Sequence, residues 1–155
     1  MRAVLQRVRK AQVEVGDEVV GQVGPGWCAL VGVTHTDTHA EAAKLAEKIA
    51  NMRSFDDESG VMNCSVLDVG GEVLVVSQFT LYGDTRKGRR PGWSAAAPAS
   101  VAEPLVQAVV DRLTELGLAV STGRFQAEMI VSIVNDGPVT LLVEVENKAT
   151  SDPCK

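Results

Sequence analysis

Residues 24–33 read Gly-Pro-Gly-Trp-Cys-Ala-Leu-Val-Gly-Val. Gly24-Pro25-Gly26 punctuates the chain, and the nearly continuous apolar run from Trp27 to Val33 is the pattern of a buried strand. Upstream the pattern is different. Val4, Val8, Val13 and Val15 mark an alternating strand that ends at a Gly16-Asp17 turn, and Val19 to Val23 reads as the return strand of a hairpin. Downstream, Thr38 is a candidate N-cap for a helix over about 39–52, because Ala42, Leu45, Ile49 and Met52 step by three and four.

The rest of the chain uses the same grammar. Val66 to Val69 reads as a short strand, Gly70-Gly71 as a tight hairpin turn, and Val73 to Ser77 as another buried strand. Residues 83–99 read as a long Gly-, Pro- and Arg-containing loop, of a kind that in compact domains is usually functional or disordered. Ser100-x-x-Glu103 has the form of a capping box, with Pro104 in the first turn of a helix whose stripe is Leu105, Val109, Leu113 and Leu116 and whose stop is Gly117. Val120 opens a further strand region. Met129 to Val134 and Val139 to Val145 then read as two strands joined by a turn at Asn135-Asp136-Gly137-Pro138. The sum is about seven strands and two main helices. This predicts one α/β domain over residues 1–145 with a mixed, mainly antiparallel, barrel-like sheet, and a polar tail over 146–155.

Composition bounds the function. A chain of 155 residues with 45% hydrophobic and 23% charged residues is one globular domain, and at 4% aromatic its core must be aliphatic. No apolar run approaches the ~20 residues that span a bilayer, and the first residues lack a signal-peptide core, so a cytoplasmic location is expected. A net charge of −5 argues against coating nucleic acid non-specifically. Yet Arg86, Lys87, Arg89 and Arg90 gather in five consecutive positions, either as a solvated loop or as a docking point for a few phosphates. Cys28, Cys64 and Cys154 make no C-x-x-C pair, which argues against a disulfide framework or a four-thiolate zinc site. His35 and His39 are the only histidines and read as polar residues of a loop and helix cap. Ser-His-Asp and Cys-His mechanisms are therefore poor fits, and neither metal nor cofactor is called for.

Two segments stand apart. Ser77-Gln78-Phe79-Thr80 emerges from a buried strand, as the wall of a pocket with backbone N–H groups for an oxyanion or simply as a strand with a solvent face. Asn135-Asp136-Gly137-Pro138 reads as a turn whose Gly-Pro bond has the usual X-Pro chance of being cis.

Taken together, Met62-Asn63-x-Ser65-Val66, Asp68-Val69-Gly70-Gly71, Ser77-Gln78-Phe79-Thr80-Leu81, Gly88-Arg89-Arg90-Pro91 and Asn135-Asp136-Gly137-Pro138-Val139-Thr140 resemble the bacterial-type D-aminoacyl-tRNA deacylases. The likeness is collinear from Arg2 to about Val145. It implies a homodimeric hydrolase that cleaves the ester between a D-amino acid and the terminal adenosine of tRNA, with two active sites at the interface. It further implies that Ser77, Gln78, Phe79 and Thr80 form the pocket wall and oxyanion-binding backbone, and that Phe125 and Met129 contact the adenosine. By the same likeness Gly137-Pro138, cis in the family, is expected to enter the partner's pocket and exclude an L side chain while leaving glycine unrejected. The resemblance also implies that Arg7 fixes the Gly-Pro loop and that Arg86, Lys87, Arg89 and Arg90 hold phosphates of the acceptor end. Trp93, Gln126, Glu128 and Cys64 depart from the family's usual residues. A non-catalytic RNA- or DNA-binding module on the same fold is the alternative.

Overall fold

The computed structural model describes residues 1–147; the expected polar tail, from residue 148 on, and Cys154 within it lie outside the described residues. In chain order the elements are β1 (Arg2–Val15), β2 (Glu18–Val23), β3 (Gly26–Gly32), α1 (His39–Asn51), β4 (Phe55–Asp56), β5 (Met62–Cys64), β6 (Glu72–Ser77), a 3₁₀ turn (Phe79–Tyr82), α2 (Ala99–Glu115), β7 (Ala119–Thr122) and β8 (Ile130–Glu144).

β1 organises the sheet. One edge pairs antiparallel with β8 from Arg2↔Glu144 to Glu14↔Ile130. The other edge pairs with β3 over Arg2 to Val8 and with β2 over Ala11 to Val15, so β2 and β3 follow one another along the same edge, broken only at Gly24-Pro25. Beyond β3 the sheet is parallel: β3 pairs with β6, and β6 with β7. β7 then comes back to β2. Ser121 Oγ donates to the Gln22 carbonyl at 2.9 Å, and Arg124 lies 3.2 Å from Glu18. Gly21 permits this approach, since a Cβ there would collide with the Thr122 carbonyl oxygen. The result is a nearly closed barrel with two helices packed outside it.

The closure explains why Trp27 to Val33 and Val73 to Val76 carry no alternation. Trp27, Ala29, Val31, Val73 and Val75 face the helices, where they join Leu45, Ile49, Leu105, Val109 and Leu113. Cys28, Leu74 and Val76 face the barrel interior with Val8, Ala11 and Val13. β1 itself changes face. Ala3 and Leu5 lie on the helix side, whereas the inward residues after the register shift between Val8 and Lys10 are Ala11 and Val13. One extra residue on a strand reverses which parity points inward.

α1 begins where expected, and its cap is a full capping box: Thr38 Oγ1 accepts from the Ala40 amide at 3.2 Å while Glu41 accepts from the Thr38 amide at 2.9 Å. The hydrogen bond from the Thr38 hydroxyl is the main reason the Glu41 carboxyl titrates below its usual range. The Met1 amino group is buried on Asp37 at 2.6 Å, with both side chains shielded from water.

Five local expectations change. Val66 to Val69 is a turn, because Asp68 accepts from both the amide and the hydroxyl of Ser65 at 2.8 Å, and the Gly71 amide closes on the Val66 carbonyl. Gly70-Gly71 consequently leads into the parallel strand β6 and makes no hairpin. The Ser100 capping box does not form: Pro98 is the N-cap, without a side-chain cap, and α2 starts at Ala99. Pro104 therefore falls in the second turn, where it has no N–H for the Ser100 carbonyl. Finally, β8 is one strand through Asn135 to Thr140 and not two strands around a turn.

Candidate active site

β6 delivers the Ser77–Thr80 segment to the rim of the barrel. Ser77 is the last residue registered on β3, opposite Val31, and the Gln78 amide donates to the Val31 carbonyl at 2.8 Å. The chain then tightens into the 3₁₀ turn. It can do so because Gly32 lies beneath: a Cβ there would press on the Gln78 carbonyl at 3.0 Å and on Leu81 at 3.1 Å. Gln78 Nε2 donates to Thr80 Oγ1, and no side chain caps the start of the turn. The amides of Phe79 and Thr80 open that turn, where backbone donors lack partners of their own.

The facing wall comes from the connection into β8. Phe125, Gln126, Ala127 and Met129 line a cleft of about 510 Å³ together with Val76, Ser77, Gln78 and Phe79. Gly123 makes room for the Met129 thioether, which would sit 2.7 Å from a Cβ at that position. Gln126 has φ +59°, the only left-handed residue other than glycine among the described residues. The third side is the start of α2, where Ala97, Ala99 and Ala102 keep the cleft open by their small size. These alanines, with Val76, Gln126, Ala127 and Val131, are lining residues that the sequence did not assign to the site; the run of small residues over 95–99 could have signalled Ala97 and Ala99, and nothing comparable marks the others.

Among the described residues, the cleft lining contains no ionisable side chain. Thr80 has Gln78 as its side-chain partner, and no histidine or carboxylate is hydrogen-bonded to it among the described residues. His35 is engaged with the Ser94 carbonyl at 2.8 Å. Burial pushes the Cys28 thiol up to about 11, which keeps it protonated and inert.

Gly137-Pro138 is elsewhere. Gln6 pairs with Thr140 and Val8 with Asn135, so residues 136–139 stand opposite Arg7 alone and bulge from β8. The Gly137-Pro138 bond is cis. Asn135 Nδ2 donates to Thr140 Oγ1 at 3.1 Å across the base of the bulge. Arg7, nearly buried, ties the bulge down: Nη1 donates to the Ser54 carbonyl at 2.8 Å, Nε to the Asp136 carbonyl at 3.3 Å, and Asp56 lies 3.4 Å away. Val131 lines the cleft, and from Val131 to Gly137 is six residues of one strand. At ~3.3 Å per residue the bulge is roughly 15–20 Å from the cleft of its own chain.

The basic loop also differs from a plain cluster of cations. Asp84 and Gly92 exchange backbone hydrogen bonds at 2.7 and 2.8 Å and close residues 85–91 into a tip. Arg86 folds back on Asp84 with two contacts of 2.8 Å, and these hydrogen bonds hold the Asp84 carboxyl well below the usual carboxylate range. Lys87, Arg89 and Arg90 are exposed, with no carboxylate at ion-pair distance among the described residues.

The family described as D-Tyr-tRNA(Tyr) deacylase matches residues 4–144. The D-aminoacyl-tRNA deacylase of Symbiobacterium thermophilum is 58% identical over 94% of this chain and 97% of its own. That of Thermus aquaticus is 57% identical over 96% and 97%. A solved structure titled c-Myc DNA Unwinding Element Binding Protein superposes with a TM-score of 0.90 at 40% identity, covering 95% of this chain and all of its own. A probable eukaryotic D-amino acid tRNA deacylase shares the fold, with a TM-score of 0.80 at 16% identity. Matched from residue 4 to residue 144, the chain belongs to the D-Tyr-tRNA(Tyr) deacylase family.

Proposed function

We propose that the chain hydrolyses the ester between a D-amino acid and the terminal adenosine of tRNA in the cleft between Ser77–Thr80 and Phe125–Met129. The observation that carries this reading is a cleft of about 510 Å³ that joins Ser77, Gln78 and Phe79 to Phe125 and Met129 with no acid or base in its lining. Such a site suits a substrate that brings part of its own chemistry. Water attacks the ester carbonyl carbon, and the amides of Phe79 and Thr80 stabilise the tetrahedral oxyanion. The ribose 2′-hydroxyl relays the proton of the attacking water to the 3′-oxygen as the carbon–oxygen bond breaks, giving a free amino acid and a 3′-hydroxyl. Phe125 and Met129 hold the adenosine. Thr80, fixed by Gln78, positions the rim, since an unactivated hydroxyl is a weak nucleophile near neutral pH.

Selectivity comes from the bulge. In a homodimer the Gly137-Pro138 segment of one subunit enters the cleft of the other, and its main-chain carbonyls face the substrate α-carbon where an L side chain would project. Exclusion by backbone atoms rejects L residues and passes glycine. Two observations support the dimer. Among the described residues β8 pairs only with β1, which leaves the other edge of a 15-residue strand unpaired, and Ile130, Val134 and Leu142 on it are exposed. No helix is long and apolar enough to cross a membrane, and the expected place of work is the cytoplasm, where charged tRNA is found.

The test is single-turnover deacylation of D-Tyr-tRNA, L-Tyr-tRNA and Gly-tRNA. Cleavage of the D and glycyl esters with the L ester spared is expected; equal cleavage of D and L would refute the filter. A second reading, as a DNA-binding module, draws on the name of the 40%-identical relative and on the exposed Lys87, Arg89 and Arg90. Binding of single-stranded DNA with no hydrolysis of any charged tRNA would favour it.

A further inference from the structure

Trp93 is the largest side chain of the 83–98 loop, and neither the cleft nor the bulge uses it. It is 44% exposed, and its ring meets the 55%-exposed ring of Phe79 edge to face, with centroids 5.4 Å apart at 68°. Gly83 gives the indole a seat: a Cβ there would lie 2.7 Å from the ring. The indole is thus held from two sides in a fixed attitude while much of its surface stays in water. The position adds a second fact. Trp93 directly follows Gly92, whose pairing with Asp84 closes the tip that carries Lys87, Arg89 and Arg90. Phe79 in turn belongs to the cleft wall. An exposed ring between a cleft and a set of cations is the arrangement with which proteins hold single-stranded nucleic acid, bases on the ring and phosphates on the cations.

We propose that Trp93, steadied by Phe79 and Gly83, is a stacking platform for the nucleobase that precedes the terminal adenosine of an RNA 3′ end, with Lys87, Arg89 and Arg90 on the phosphates beside it. This rests on the deacylase reading and adds a binding subsite to it. The platform makes no contact with the ester, so it acts on binding of the strand and not on the reaction. It also makes a demand on the substrate. An aminoacyl adenosine, which ends before the stacked base, gains nothing from Trp93.

The experiment compares D-tyrosyl-tRNA with the 3′-D-tyrosyl ester of adenosine on the wild type, Trp93→Ala and Trp93→Phe. Trp93→Ala should lower kcat/KM on the tRNA by roughly five- to a hundredfold, through KM, relative to its effect on the nucleoside ester. Trp93→Phe, which keeps a ring, should recover most of the loss. An equal fall on both substrates would mean that Trp93 only props Phe79, and no fall on either would mean that nothing stacks there; both outcomes overturn the proposal. If the wild type cleaves neither substrate, the deacylase reading fails, and the subsite is decided separately. Indole fluorescence of Trp93, taken as the difference from Trp93→Phe, should then be quenched by uncharged tRNA and not by tRNA trimmed of its unpaired 3′ nucleotides. Quenching by both would overturn the proposal.

Discussion

Arg7→Ala separates the architecture of the bulge from that of the cleft. Arg7 is the single residue of β1 opposite residues 136–139, and its side chain is 10% exposed. It donates to the carbonyls of Ser54 and Asp136 at 2.8 and 3.3 Å, and Ser54 is itself buried. Truncation leaves the Ser54 carbonyl with a lost charged donor. Each charged hydrogen bond contributes about 1.5–3 kcal/mol, and the 3.3 Å bond belongs at the bottom of that range, so a loss of about 3 kcal/mol is expected. For a domain of this size 1 kcal/mol shifts Tm by roughly 2–4 °C, which makes the expected fall about 6–12 °C. The cleft residues lie roughly 15–20 Å away along β8 and keep their positions. Cleavage of D-Tyr-tRNA should therefore persist below the lowered Tm, while the spared fraction of L-Tyr-tRNA shrinks. Arg7→Lys reaches one carbonyl but not both, and should fall between the two. A variant with an unchanged Tm and unchanged D-over-L preference would refute the assignment of Arg7 as the anchor of the bulge. A variant that lost D cleavage and L rejection together while still folded would refute the separation of the two parts.

Further outcomes follow from other contacts. Thr80→Ala should slow single-turnover cleavage of D-Tyr-tRNA by no more than about tenfold, because Thr80 has no base beside it; a loss of several orders of magnitude would mark it as the nucleophile. A D-Tyr-tRNA ending in 2′-deoxyadenosine should bind as the ordinary one does and react far more slowly, and an unchanged rate would exclude help from the 2′-hydroxyl. Asp84→Asn releases Arg86 from its carboxylate and should steepen the dependence of log affinity for tRNA on log salt by about 0.7, one more phosphate on a single strand. In the unsubstituted protein the folded-state Asp84 carboxyl titrates below its unfolded value. Its pairing with Arg86 is thus intact above the ordinary carboxylate range and fades only as pH falls through the lowered value, so carboxyl NMR should record no Asp84 step near pH 4. Asp37→Asn leaves the buried Met1 amino group without its counter-charge and should destabilise by about 3–5 kcal/mol in denaturant melts.

What could be read in the sequence depended on whether the deciding contact was local. The Thr38 cap and the stripe of α1 lie within one helix, and both are where the spacing put them. The buried runs of β3 and β6 were legible because burial on two faces removes alternation. Val66 to Val69 failed for the opposite reason, since four residues of strand-like composition are outweighed by one Asp68 carboxylate that bonds Ser65 twice. Asn135-Asp136-Gly137-Pro138 failed more instructively. Residues that reverse a chain also suit a bulge, and only the partner register on β1 tells the two apart. The cleft residues of the two motifs, Ser77 to Phe79 with Phe125 and Met129, do meet. Arg86 does not join Lys87, Arg89 and Arg90 as an unpaired cation, because Asp84 two residues earlier claims it.

β8 gives the proposed second subunit a physical reason. Val131 to Val134 are registered on Lys10 to Val13, and Thr140 to Glu144 on Arg2 to Gln6. The strand is therefore fastened to β1 on both sides of the bulge, and the bulge itself is fastened to Arg7 and closed by Asn135 and Thr140. No hinge in the chain lies between the cleft end of β8 and the bulge. Motion within one subunit cannot carry Gly137-Pro138 across the roughly 15–20 Å to the cleft without stripping a ladder of backbone hydrogen bonds. A rigid part held away from the site it is proposed to guard can guard only the site of another copy. The same stiffness suits the task, because a filter that discriminates by collision works only if it does not yield.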